Sequence, residues 1–165
     1  MRAHWFIGID PGVSGAVCVL DSCGEVVVLF KMPSVSGQVD AKALHTALTK
    51  FGKAQIVGVI EKAQAFKGQG ISSTFKYGVS FGIIQGVLAP ICPYWLVTPQ
   101  TWQKQMFTGT EATLEPKQRS ALAARRLFPN ETFLPTARCS KIDSGLTDAA
   151  LIAEYARRMH GGTCT

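Results

Sequence analysis

The segment Ile7-Gly8-Ile9-Asp10-Pro11-Gly12, followed at once by Val13 to Leu20, constrains the fold of this chain more than any other. It reads as an apolar strand that delivers one carboxylate, a Pro/Gly turn, and a second apolar strand running back beside the first. By itself, a carboxylate after a buried strand starts a turn. The pattern returns, however, at Gln55-Ile56-Val57-Gly58-Val59-Ile60, which is nearly all apolar, as expected of a strand covered on both faces in a parallel sheet, and which ends in Glu61. Two buried strands thus end in acids.

The remaining elements follow from periodicity and breakers. Asp21 to Gly24 is a hairpin turn into a third strand, Glu25 to Lys31, so the chain opens with an antiparallel meander. Residues 32–39 read as a loop. Asp40 caps a helix that Gly52 ends. Residues 65–70 form a Gly/Lys-bearing loop, and Ile71 to Ala89 predicts a long helix with Ser72 or Ser73 near its start and Pro90 at its stop. Gly78, Gly82 and Gly86 mark one stripe of that helix, where each glycine costs up to about 1 kcal/mol. Close approach of a helix or of the sheet accounts for such a stripe, and a seam with a second copy of the chain is its sharper form. Tyr94 to Val97 is a short strand, and Pro99 and Pro116 open helices through Met106 and Phe128. Leu146 to Met159 is the last helix. The fold class is therefore α/β: a mixed five-stranded sheet, three antiparallel meander strands plus two parallel ones, flanked by helices. No repeat or linker divides the 165 residues, so residues 1–160 read as one domain and 161–165 as a tail.

Composition excludes several classes. No apolar run reaches the roughly 18 residues of a membrane span, and the apolar segment after Met1-Arg2-Ala3-His4-Trp5 is too short for a signal peptide. A soluble, cytoplasmic protein without a membrane partner is expected, bacterial or phage-encoded, with an organelle stroma or matrix as the alternative. The five cysteines lack CxxC pairing and read as reduced thiols. The net charge of +6 is unevenly spread. Residues 1–61 hold five basic and five acidic groups, and residues 62–165 hold twelve and six. Such an excess suits a polyanion, nucleic acid before anionic membrane.

If the strand ending in Glu61 pairs parallel to the first, Asp10 and Glu61 emerge side by side. Asp148, near the start of the last helix, and Asp143, in the loop entering it, can press against the same edge. Converging carboxylates repel unless cations neutralise them, and hard oxygen donors select magnesium or manganese. Two such ions about 4 Å apart are the apparatus of in-line phosphodiester hydrolysis.

Ile7-Gly8-Ile9-Asp10-Pro11-Gly12, Val59-Ile60-Glu61-Lys62-Ala63 and Gly145-Leu146-Thr147-Asp148-Ala149-Ala150-Leu151-Ile152-Ala153, in that order, resemble the three sequence blocks of the RuvC-type Holliday-junction resolvases, members of the RNase H-like superfamily. Residues 61–70, with Phe75, Tyr77-Gly78 and Phe81-Gly82, are similar in particular to the phage and chloroplast branch. The resemblance implies an RNase H-like fold and a magnesium-dependent endodeoxyribonuclease, manganese substituting, with two ions per site. It implies paired nicking of four-way DNA junctions that leaves 5′-phosphate and 3′-hydroxyl ends; the two-fold symmetry of a junction then calls for a homodimer, and the glycine-striped helix 71–89 is its expected seam. Asp10, Glu61 and Asp148 match the family's metal-binding carboxylates. The family's bacterial members carry the fourth acid three residues before the last, where this chain has Gly145; Asp143 is the nearest substitute, at a spacing associated with the chloroplast-like branch. Lys117 and Lys104 lie where the family places basic residues near the scissile phosphate, although Gln103 rather than a lysine follows Trp102. Phe66 is a candidate to wedge between bases, with Lys62, Lys67, Lys76 and Arg119 as phosphate contacts. Trp102 and Met106 read as core, and Gly12 and Gly15 as small residues that keep the hairpin beside Asp10 open to DNA.

Three other classes share parts of this pattern. An actin-like or sugar-kinase ATPase has the first block but needs a second phosphate loop in a duplicated domain. A non-catalytic nucleic-acid-binding module of the same fold, or an RNase H-type hybrid nuclease, fits the length.

Overall fold

The computed structural model describes residues 4–51, 55–62 and 70–161. The chain runs β1 (His4–Asp10), β2 (Ala16–Leu20), β3 (Val26–Lys31), β4 (Ser34–Val35), β5 (Gln38–Val39), α1 (Ala41–Leu48), β6 (Gln55–Glu61), α2 (Ile71–Leu88), β7 (Tyr94–Val97), α3 (Pro99–Met106), α4 (Pro116–Leu127) and α5 (Ser144–Met159), with a single 3₁₀ turn (Thr49–Phe51) after α1. Five strands form one mixed sheet in the order β3-β2-β1-β6-β7. β1 pairs antiparallel with β2, β2 with β3, and the two crossover strands are parallel, β1 with β6 and β6 with β7.

Alternation along the strands sorts side chains into two layers. Phe6, Ala16, Cys18, Leu20 and Val59 face α5, together with Trp102 of α3 and Ala123 and Ala124 of α4. Ile7, Ile9, Val17, Val19, Ile56 and Ile60 face the other way, against Leu44 and Leu48 of α1 and Ile84 and Leu88 of α2. Each fully buried Leu, Ile or Phe contributes roughly 1.5–3 kcal/mol. The alanine-rich α5 lies directly on β1. A Cβ at Gly8 would stand 2.1 Å from the Ala153 nitrogen and 2.3 Å from the Ala149 oxygen, so only glycine admits the helix there.

The chain departs from the sequence-based expectation in three places. Residues 34–39 form a two-stranded hairpin rather than a plain loop, because Ser36 and Gly37 both take positive φ (51° and 76°) at its tip. α5 starts at Ser144, earlier than the apolar periodicity suggests, because the Asp143 side chain accepts the Leu146 N–H at 3.1 Å and caps the first turn. Finally, Cys23 is disulfide-bonded, whereas Cys18, Cys92 and Cys139 are free. Among the described residues, no helix is long and apolar enough to cross a membrane.

Candidate active site

The register Ile9↔Ile60 brings the ends of β1 and β6 side by side. Asp10 shares the parity of Phe6 and Gly8, and Glu61 that of Val59, so both acids leave the sheet on the side that α5 covers. Asp148, in the second turn of α5, completes a cluster at this edge. Burial, followed by the like charges of Asp148 and Glu61, pushes the Asp10 carboxyl well above the usual range. Asp148 is pushed up to about 7, mainly by burial, while the Ser120 hydroxyl and the Lys117 charge pull the other way. Glu61 is also raised by burial, against a hydrogen bond from Trp102 that lowers it.

Three of the four acids are braced on a single oxygen. Trp102 Nε1–H donates to Glu61 Oε2 at 2.7 Å, and Ser120 Oγ donates to Asp148 Oδ1. Lys31 Nζ donates to Asp143 Oδ1 at 2.8 Å and also to the Ser14 carbonyl, tying β3, the first turn and the entry of α5 together. This arrangement is what orients ligating carboxylates, one oxygen held and the other offered. As placed, no three acidic, histidine or cysteine side chains among the described residues form a closed metal-binding group. Glu61, Asp148 and Asp143 are each drawn to a donor of their own, and Asp143 is ion-paired with Lys31. The donor set itself fits a hard divalent cation: the groups at this edge are carboxylates, partly buried and with like charges raising Asp10, and Lys31 is the counter-charge that relieves Asp10.

Four residues that the sequence reading passed over or kept as core belong to this site. Trp102 is fully buried, as expected, yet its indole N–H serves Glu61. Ser120 and Lys31 lie outside the three sequence blocks. Tyr77, half-buried in α2, places its ring against Gly12, whose missing Cβ would stand 3.1 Å from Tyr77 Cε2. Burial, then Asp10 and Glu61, push its phenol up to about 12, so the hydroxyl stays protonated beside the acids. This alters the reading of the two hairpin glycines. Gly12 has φ +100° with the Tyr77 ring beside it, and a Cβ at Gly15 would meet the Asp10 carbonyl at 2.0 Å; a left-handed backbone at the first and close packing at the second demand glycine.

The expected basic residues divide. Lys117 opens α4 within electrostatic reach of Asp148 and shares a cleft with Asp143. Lys62 and Lys76 are exposed, at the end of β6 and on α2. Lys104 lies apart from the acids, in a cleft with Arg158 near the far end of α5. Arg119 is partly buried, its guanidinium 4.9 Å from the centre of the Phe107 ring and its Nε donating to Thr110 Oγ1 at 3.0 Å, so it is engaged in packing. Phe66 and Lys67 lie outside the described residues.

No protein-family model and no curated protein matches the sequence. Solved structures do. RuvC of T. thermophilus in complex with a Holliday-junction substrate superposes with a TM-score of 0.63 at 14% identity, over 96% of this chain and 97% of that one. The chain has the RuvC-type fold. A further Thermus thermophilus RuvC structure gives 0.57 at 18% identity, over 94% and 96% of the two chains. The yeast mitochondrial Holliday junction resolvase Ydc2 gives 0.58 at 14%, over 94% of this chain and 78% of that one. Within the RuvC-type frame, steric room decides against an acid at position 145. A Cβ at Gly145 would stand 2.9 Å from the Ser14 carbonyl oxygen and 3.1 Å from Lys31 Nζ, whereas Asp143 reaches the same edge from the cap position.

Proposed function

We propose that the chain is a metal-dependent endodeoxyribonuclease that resolves four-way DNA junctions. The observation that carries this reading is the convergence of Asp10, Glu61 and Asp148 at one edge of a RuvC-type sheet, with the pKa of all three raised by burial and those of Asp10 and Asp148 raised further by neighbouring carboxylates. These three would hold magnesium or manganese through their unbraced oxygens, and Asp143 would lend Oδ2. When bound, two such cations supply activation of a water and stabilisation of the departing oxygen. Asp10, Glu61 and Asp148 set where that chemistry occurs. Lys117 balances the phosphate's negative charge from the start of α4, and the Tyr77 hydroxyl donates a hydrogen bond toward a non-bridging oxygen. The water oxygen bonds to phosphorus, the bond from phosphorus to O3′ breaks and that oxygen takes a proton, leaving 5′-phosphate and 3′-hydroxyl ends.

Two-fold cutting needs a two-fold protein. α2 is apolar on both sides, and one side already packs on the sheet. On the other, Ile71 and Phe75 are 90% and 71% exposed, and nothing lies within 4 Å of a Cβ built at Gly78, Gly82 or Gly86. That stripe supports a homodimer through residues 71–89. The position of Asp143 and the room denied at Gly145 support placement with the phage and chloroplast branch.

The deciding experiment incubates the full chain and a synthetic four-way junction with magnesium, beside duplex, fork and RNA–DNA hybrid controls. Paired symmetric nicks confined to the junction are expected. Cutting of the hybrid alone would assign an RNase H instead. Binding in calcium without cutting in magnesium or manganese would assign a non-catalytic module.

A further inference from the structure

The cleft beside the acid cluster is larger than a phosphodiester needs. It encloses about 720 Å³ and runs from Lys117 and Asp143 outward between the first turns of α4 and residues 135–142. Small-molecule sites span roughly 300–1,000 Å³. Its walls combine apolar surface from Ala121, Pro135 and Ile142 with the cations of Lys117, Arg138 and Lys141, and Gln118 and two serines add neutral polar groups beside Asp143. Arg138 and Lys141 are exposed and form no ion pair among the described residues. A site for a lone phosphate would be polar throughout, and a site for an apolar ligand would not carry three cations. An apolar wall with a cationic rim suits a nucleotide, its base against the wall and its phosphates toward the lysines and arginine.

We propose that this cleft receives an unstacked nucleotide of the strand being cut, next to the scissile phosphate. The inference rests on the junction-nuclease reading and adds to it a place where the identity of a base is sensed during cutting. A branch point is where such an occupant costs least, because stacking and pairing are already interrupted there. The continuity of the cleft with Lys117 and Asp143 makes an adjacent nucleotide, rather than a distant one, the occupant.

Cys139 offers a reporter. It lines the cleft as a free, half-buried thiol with Sγ 3.2 Å from Thr136 Oγ1, whereas Cys18 and Cys92 are buried. The test alkylates the full chain with N-ethylmaleimide and reads Cys139 by peptide mass spectrometry, alone and with saturating junction in calcium. The junction is used intact and with abasic residues around the exchange point. Intact junction should slow modification of Cys139 by about tenfold, the value of one stacked base, and the abasic junction should protect far less. Ala121→Phe, which fills the cleft without removing a cation, should keep junction binding but flatten differences in cleavage among junctions that vary the base beside the cut. Equal protection by both junctions, or none by either bound junction, overturns the proposal, as does an unchanged base preference in Ala121→Phe. Absence of cleavage by the unaltered chain would overturn the nuclease reading instead, and the protection measurement in calcium would still decide the cleft. A chain that binds no junction overturns both.

Discussion

Trp102 is wholly buried and still keeps its indole N–H on Glu61, so one residue packs the core and aims a carboxylate. Trp102→Phe preserves most of the packing and removes only the donor. Partners that orient a metal ligand are worth roughly 10–100-fold in affinity or activity, and that loss is expected in magnesium dependence and cleavage, with near-normal thermal stability. Asp10→Asn and Glu61→Gln should abolish cleavage while junction binding in calcium persists; retained cleavage would sink the site. Asp148 makes the protonation state measurable. Its carboxyl, at about 7 against an ordinary 3.8, holds a proton in the metal-free folded state that the unfolded chain releases. Stability of the metal-free protein should therefore fall as pH rises between those two values. Magnesium requires the deprotonated acids, so the rise in Tm on adding it should be larger at about pH 8 than at about pH 5.5. An increment that is the same at both would remove Asp148 from the metal set.

At the scale of elements, two glycines on different faces give opposite expectations. Gly8→Ala puts a methyl against the backbone of α5 on both sides, with no flexible side chain to yield. Overpacking of this kind costs about 1–3 kcal/mol, occasionally more, and a lowered Tm in a thermal melt is the expected result. Gly82→Leu meets open space in the single chain and replaces a poor helix former, so the fold should hold or gain up to about 1 kcal/mol. Sedimentation should nevertheless show it shifted to monomer, since the added bulk lies on the face proposed as the dimer seam. A variant that sediments like the unaltered chain as a dimer would move the interface elsewhere. Near the C-terminus of α5, buried Glu154 is arranged differently. Burial opposes its charge, but hydrogen bonds from Arg157 at 2.7 Å and Arg158 at 2.7 Å prevail and lower its pKa.

For the whole molecule, the excess of positive charge on residues 62–165 predicts how binding responds to salt. A protein with about six phosphate contacts loses on the order of 10³-fold in affinity between roughly 50 and 200 mM salt. Junction binding measured across that range should fall steeply, and a flat response would argue against a backbone-led interface. The order of the main elements and the two acids at strand ends are legible in the residues alone. Runs such as Ile7–Asp10 and Gln55–Glu61 carry their own periodicity and stop signals, and burial of both faces leaves β6 little choice but to pair beside β1. The hairpin at 34–39 escaped because it rests on two positive φ values, one of them at a serine. Docking of the elements on one another is what pairs Lys31 with Asp143, 112 residues away, sets Ser120 and Trp102 against Asp148 and Glu61, and lays Tyr77 over Gly12. It also turned the glycine stripe of α2 to the open side rather than toward the sheet. Such partners are set by how helices dock on the sheet, and no local pattern in a chain records which distant side chain a docked helix will meet.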